Sequence, residues 1–138
     1  MILRPAILDD VEAVLKFWLD AAENDDRPAD TAEAVRTLIE RDPAALCLAV
    51  DEDGIVGTLI AGWDGWRCHL YRLAVRPGRR RQGIAGTLLA AAEQRFREFG
   101  AGRVDAMVLD DNDLGQNLWT RSGYQRQDNW SRWVKPLA

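Results

Sequence analysis

The chain has little that points to a metal or a disulfide framework. Among 138 residues there are two cysteines, Cys47 and Cys68, and one histidine, His69. Two cysteines are too few for a disulfide scaffold, and they lack metal-ligand spacing, so no metal is expected. No run of about 18 apolar residues occurs, which argues against a membrane-spanning helix. The N-terminal stretch MILRPAILDD carries Arg4 and two aspartates where a signal peptide would need a long apolar segment. A soluble, reducing, cytoplasmic setting is therefore expected. Internal repeats, low-complexity tracts and interdomain linkers are also lacking. The length suits one domain, residues 1–138, on the usual prior of roughly 100–200 residues per domain. With 47% hydrophobic and 29% charged residues there is enough apolar material for a core, and disorder is excluded.

Lysine is scarce, and 16 of the 18 basic residues are arginine. The net charge of −4 is unevenly spread. Residues 1–64 carry 15 acidic and 5 basic side chains, and residues 65–138 carry 7 acidic and 13 basic. Such asymmetry suggests that one part handles an anion, or else it reflects a solvated surface.

Hydrophobic periodicity gives the elements. Ile2–Ile7, broken by Arg4-Pro5, reads as an edge or first strand. Asp9-Asp10-Val11-Glu12 has a capping-box pattern, and Val11, Val14, Leu15, Trp18, Leu19 and Ala22 recur at helical spacing up to about Asn24. Asp30-Thr31-Ala32-Glu33 repeats the capping pattern before a second amphipathic helix that Asp42-Pro43 closes. Leu46–Val50, Ile55–Trp63 and Cys68–Val75 read as a strand meander with turns at Asp51–Gly54 and Asp64-Gly65. Ile84–Phe99 has one apolar stripe and a following Gly100 stop. Val104–Leu109 reads as a buried strand, Asp113–Arg121 as a short helix and Tyr124–Val134 as a last strand. The order is β-α-α-β-β-β-α-β-α-β, an α/β (α+β mixed sheet) class. The strand–helix–strand crossover makes the Cys68 and Val104 strands parallel.

The stretch Leu73-Ala74-Val75-Arg76-Pro77-Gly78-Arg79-Arg80-Arg81-Gln82-Gly83-Ile84-Ala85-Gly86 joins a strand to a helix through an arginine-rich turn. A helix N-terminus offers unpaired N–H groups and the positive end of its dipole, which suits an anion. Gly83 and Gly86 let the backbone approach that anion closely. Arg79, Arg80 and Arg81 add fork-shaped donors. The Gly-Lys-Ser/Thr ending of a nucleotide P-loop and the G-x-G-x-x-G dinucleotide pattern are both absent.

Arg80-Arg81-Gln82-Gly83-Ile84-Ala85 matches Arg/Gln-x-x-Gly-x-Gly/Ala, and the chain here resembles the GNAT superfamily of N-acetyltransferases. Leu73-Ala74-Val75-x-Pro looks like that family's central strand. Asn112, Gly115, Leu118, Trp119, Gly123 and Tyr124 resemble its second signature, Asn-x-x-Ala-x-x-Leu-Tyr-x-x-x-Gly-Phe. The resemblance implies a GNAT-like fold whose parallel central strands splay around coenzyme A (CoA). It implies direct transfer of acetyl from acetyl-CoA to a primary amine, without a covalent enzyme intermediate. The N–H groups from Arg81 through Gln82, Gly83, Ile84 and Ala85 to Gly86 would cradle the pyrophosphate, with Arg80 leading the motif. The Leu73, Ala74 and Val75 backbone would pair with the pantetheine arm and polarise the thioester carbonyl. Asn112 would hydrogen-bond the cofactor. The acceptor would be a small-molecule amine or a peptide amine, and a homodimer is common in the family.

One departure concerns the acid. Trp119 stands where the family has a tyrosine general acid. An indole is a donor only, so Trp119 would pack against pantetheine or hydrogen-bond the sulfur rather than protonate it. His69 is the candidate base, with Tyr71 on the same strand face lining the acceptor site or relaying a proton. Asp110 and Asp111 are the alternative carboxylates, or turn and cap residues. Trp63, Trp66 and Tyr71 form either an aromatic acceptor site or ordinary packing. Trp130 and Trp133 belong to the core or to a dimer contact. The loop Asn24-Asp25-Asp26-Arg27 would attract a cationic amine or is simply solvated. Two rival functions stand beside the enzyme. One is a non-catalytic acyl-CoA-binding module. The other is nucleic-acid binding through Arg76–Arg81, which a pI near 5.0 and the lack of a longer basic face argue against.

Overall fold

The computed structural model of the chain describes every residue except Glu23, Asp25, Asp26, Asp111 and Ala138, and all side chains of the remainder except that of Leu114. Its contacts fall into two units, Met1–Met107 and Val108–Ala138.

The first unit holds a five-stranded sheet in sequence order. Strands β1 (Ile2–Pro5), β2 (Leu46–Asp51), β3 (Gly54–Trp63) and β4 (Cys68–Val75) pair antiparallel, and β4 pairs parallel with β5 (Val104–Ala106). Helices α1 (Val11–Ala21) and α2 (Ala32–Arg41) follow β1, and α3 (Ile84–Glu98) is the crossover between β4 and β5. Side chains alternate across the strands and so divide the core between two faces. Leu46 and Leu48 of β2 join Val14, Phe17 and Trp18 of α1 and Val35 and Ile39 of α2 in one cluster. Cys47, Leu59 and Ala61 point the other way, toward Ala91, Ala92 and Arg95 of α3. The α3 stripe of Ile84, Leu88, Leu89, Ala92 and Phe96 is buried. Burial of each of its larger side chains contributes about 1.5–3 kcal/mol. Gly57 lets α3 sit close to β3, since a Cβ there would stand 2.8 Å from Ile84 Cγ2 and 3.0 Å from Leu88 Cδ1.

The two capping patterns behave differently. Thr31 caps α2, its Oγ1 accepting from Ala34 N at 3.1 Å, which is worth about 1 kcal/mol. Before α1 the expected Asp9–Glu12 box gives way to a single 3-10 turn, Leu8–Asp10. Asp10 faces back instead, accepting from Ile7 N at 2.8 Å and from both Arg4 Nη atoms at 2.7 and 2.9 Å.

In the second unit α4 (Asp113–Arg121) forms as expected. It ends in a Schellman motif, with Gly123 N donating to Thr120 O at 3.1 Å and Tyr124 N to Trp119 O at 3.0 Å. Two expectations fail. The Val104 strand stops at Ala106 rather than Leu109. Residues 125–137 form no last strand, and Trp130, Trp133, Val134 and Leu137 are exposed. The polar run Gln125–Asn129 breaks the alternation that a half-buried strand requires. Trp130 and Trp133 are thus not core residues of this chain. Among the described residues no helix is long and apolar enough to cross a membrane.

Candidate active site

Strand β4 provides the first part of the site. Only Cys68, His69 and Leu70 pair with β5. Beyond Leu70 no pairing with β5 is seen among the described residues, and the main chain of Leu73, Ala74 and Val75 has no strand partner on that side, as an extended ligand would need.

The same segment is bulged. On β3 the register runs from Thr58, opposite Ala74, to Ile60, opposite Tyr71. Leu59 thus faces two residues, Arg72 and Leu73, and Arg72 has φ +53°. An extra residue in one strand leaves main-chain groups out of the ladder and redirects side chains. Consecutive strand residues normally point to opposite faces, yet Tyr71 and Arg72 both line one pocket of about 240 Å³ with Trp18, Asp30, Val35 and Ile60.

The second part is the turn from Arg76 to Gly83. Arg81 and Gly83 have φ of +65° and +81°. Gly83 precedes the first turn of α3, and no side chain caps that helix end. A Cβ at Gly83 or Gly86 would meet nothing within 4 Å, so the protein itself leaves this space open. The expected three-arginine cluster is divided. Arg79 pairs with Asp51 and, at 3.0 Å, with Asp53, both on the β2–β3 turn. A backbone N–H from Asp53 and the Arg79 guanidinium hold the Asp51 carboxyl below its usual range. Arg76 donates to Ile55 O at 2.6 Å. These two arginines brace the turn, while Arg80 and Arg81 make no hydrogen bond or ion pair among the described residues. Gln82 accepts from Arg79 Nε at 3.2 Å, and Ile84 is buried while Ala85 is half-buried.

His69 and Tyr71 share a face, with ring centroids 6.1 Å apart. Tyr71 lies over Gly62, where a Cβ would come within 3.3 Å of its ring. His69 Nε2 stands 3.6 Å from Asp64 Oδ2, an ion-pair separation rather than a hydrogen bond. Asp64 Oδ1 accepts from the N–H groups of Trp66 and Arg67, each at 2.7 Å. Those bonds hold its carboxyl below the usual range, keeping a negative charge beside the imidazole.

Trp63, Trp66 and Tyr71 do not form one cluster. Trp63 stacks on Phe99 at 5.3 Å, exposed Trp66 lies under the Arg67 guanidinium at 5.0 Å, and Tyr71 neighbours His69. In the second unit Asn112 caps α4, Oδ1 accepting from Gly115 N at 3.0 Å. Trp119 packs edge-on against Tyr124 at 4.9 Å, the apolar contact that accompanies the helix stop. Asp110 pairs with Arg126 at 3.0 Å. Asp25, Asp26 and Asp111 lie outside the described residues. Three features escaped the sequence reading: the bulge, the Asp64 partner of His69 and the Arg79 brace. A bulge depends on the register of two strands and leaves no mark in either alone. The three carboxylates, Asp51, Asp53 and Asp64, were visible only as turn residues.

The model of the GNAT acetyltransferase family matches residues 11–124. An acetyltransferase of Sodalis glossinidius is 31% identical over 124 residues, 88% of this chain and 84% of its own. One from Pectobacterium atrosepticum is 32% identical over 123 residues, 87% and 84% of the two chains. The fold is also that of the PaiA N-acetyltransferase of Thermoplasma acidophilum, solved with coenzyme A (TM-score 0.83, 17% identity, 92% and 91% covered). An aminoglycoside 6′-N-acetyltransferase of Acinetobacter haemolyticus matches over both whole chains (TM-score 0.75, 18% identity). With two sequence relatives above 30% identity and a family match across both motif regions, the chain belongs to the GNAT family of acetyltransferases.

Proposed function

We propose that this acetyltransferase moves acetyl from acetyl-CoA to a primary amine seated in the pocket beside Tyr71, by direct attack. The observation that carries this reading is the bulged strand β4, whose last residues Leu73–Val75 have no β5 partner among the described residues and lead into the open turn at Gly83. The residues present fit the cofactor. Gly83 and Gly86 leave a space that a Cβ would occupy, and Arg80 and Arg81 have donors to spare beside it. When bound, acetyl-CoA supplies the acetyl group as an activated thioester. N–H groups from Arg81 to Gly86 hold the pyrophosphate, and Leu73–Val75 hold the pantetheine arm like an added strand. Main-chain N–H groups of the Leu73–Val75 segment beside the bulge would polarise the carbonyl. His69 removes a proton from the acceptor ammonium, and Asp64 stabilises the resulting imidazolium. Tyr71, 48% exposed, presents its ring and hydroxyl to the acceptor pocket. Trp119 donates but does not give up a proton, so the chain offers no acid there. A thiol with a pKa near about 8.5 can leave without one.

The solved structures span two acceptor chemistries. One is an aminoglycoside antibiotic N-acetyltransferase and another, from Brucella melitensis, a ribosomal-protein-alanine N-acetyltransferase. Both small amines and peptide N-termini therefore belong in the test. Release of CoA thiol from acetyl-CoA is followed over a panel of both classes. Release above the enzyme-free rate with at least one amine, and an N-acetylated product by mass spectrometry, are expected. Tight CoA binding with no release from any amine would favour a binding module instead.

A further inference from the structure

A buried polar network centres on Arg72, the residue with φ +53° inside β4. Non-glycine residues avoid that conformation, so a strand holds one there only when its surroundings enforce it. Two sets of contacts do so. On the main chain, Thr58 Oγ1 donates to Arg72 O at 2.8 Å, and Trp18 Nε1 donates to the same hydroxyl at 2.9 Å. The Arg72 side chain is 4% exposed, and its guanidinium pairs with Asp30. It also donates to Asn24 Oδ1 at 3.0 Å and lies 5.2 Å from the Trp18 ring centroid. Asn24 Nδ2 in turn donates to Trp18 O at 3.1 Å, and Asp30 also takes a hydrogen bond from Arg27 at 2.9 Å. Helix α1, Asn24 and Asp30 before α2, strand β3 and the bulge thus meet at one residue.

We propose that Arg72 is a positioning residue whose pairing with Asp30 fixes the β4 bulge. The pair locks the main-chain donors that polarise the acetyl carbonyl to the segment that borders the acceptor pocket. Seating of Asp30 on Arg72 and alignment of the donors are one event. This inference rests on the reading of β4 as the thioester-binding strand. The ordinary alternative is a stabilising core ion pair, which would affect folding and leave carbonyl polarisation untouched.

The test uses acetyl-CoA labelled with carbon-13 at the carbonyl, bound without acceptor to the wild type, Arg72→Ala, Arg72→Lys and Asp30→Asn. The carbonyl chemical shift, CoA affinity by calorimetry and thermal midpoint are read for each. Wild-type binding moves the carbonyl downfield. Arg72→Ala and Asp30→Asn return it toward the free value with CoA affinity retained, and Arg72→Lys, which keeps the charge, falls between. With an amine substrate, kcat falls by about tenfold to a hundredfold in Arg72→Ala, the range expected for misplacement of about 1 Å. A wild-type carbonyl shift in Arg72→Ala or Asp30→Asn, whatever the thermal midpoint, would overturn the proposal. Should Arg72→Ala not fold, Asp30→Asn decides it alone. If the wild type itself shows no carbonyl shift, the β4 reading fails and the Arg72 proposal with it. If the wild type shows the shift but turns over no amine, only the acceptor chemistry is wrong, and Arg72 is still judged by the shift.

Discussion

In the proposed reading Gly83 would border the cofactor and His69 would serve as the base, and each permits a single-residue prediction. Gly83 sits at φ +81° with open space where its Cβ would stand, which suits a left-handed backbone and would let a ligand approach. Gly83→Asp should abolish CoA binding in calorimetry while the protein stays folded, because it sets a carboxylate against the pyrophosphate. His69→Ala should lower kcat at neutral pH with little change in CoA affinity, and it should flatten the acid limb of the pH–rate profile. An unaltered profile would remove His69 from the mechanism. Asp10 gives a stability prediction. Arg4 holds its carboxyl below the usual range, so its contribution is present above the unfolded pKa and is lost as pH falls through the lower folded value. The pair is partly solvated, so Asp10→Asn should cost about 0.5–1 kcal/mol at neutral pH. In urea unfolding, that gap should close below pH of about 4, the ordinary carboxylate range.

The elements show what local pattern could and could not convey. Helix α3 was legible because its apolar stripe and the glycine after it agree. The structure ends it as the pattern implies, with Gly100 N donating to Arg97 O at 2.9 Å and Ala101 N to Phe96 O at 3.0 Å. Its close seat on β3 was not legible, since nothing around Gly57 says that Ile84 and Leu88 will lie against it. Gly57→Ala should press on both and cost about 1–3 kcal/mol, the range for overpacking a core. Because Ile84 opens α3, the same substitution should also weaken CoA binding, which separates it from a remote destabilising change. The arginine turn was recognised as basic. That Arg79 and Arg76 would brace it, leaving Arg80 and Arg81 for an anion, depended on where the β2–β3 turn comes to rest. Trp119 illustrates the opposite case. Its motif position drew attention to chemistry, whereas its ring completes the stop of α4.

At the scale of the molecule, element order and the parallel β4–β5 pair followed from strand and helix periods alone. The last strand did not form, because Tyr124–Val134 contains bulky residues without the alternation that pairs a strand to a sheet. The uneven charge also has a more specific meaning. Much of it closes on itself within the first unit: Asp30 on Arg72, Asp42 on Arg95, and Asp51 and Asp53 on Arg79. These carboxylates hold Arg72, Arg79 and Arg95 in place, and no such ion pair involves Arg80 or Arg81 beside the open turn before α3 among the described residues. The central claim, that the free edge of β4 and that turn together hold acetyl-CoA, is tested most directly by titrating nitrogen-15-labelled protein with CoA and following its amide resonances. The account predicts the largest shifts at Leu73, Ala74 and Val75 and from Arg81 to Gly86. Binding that leaves both segments unmoved would contradict it.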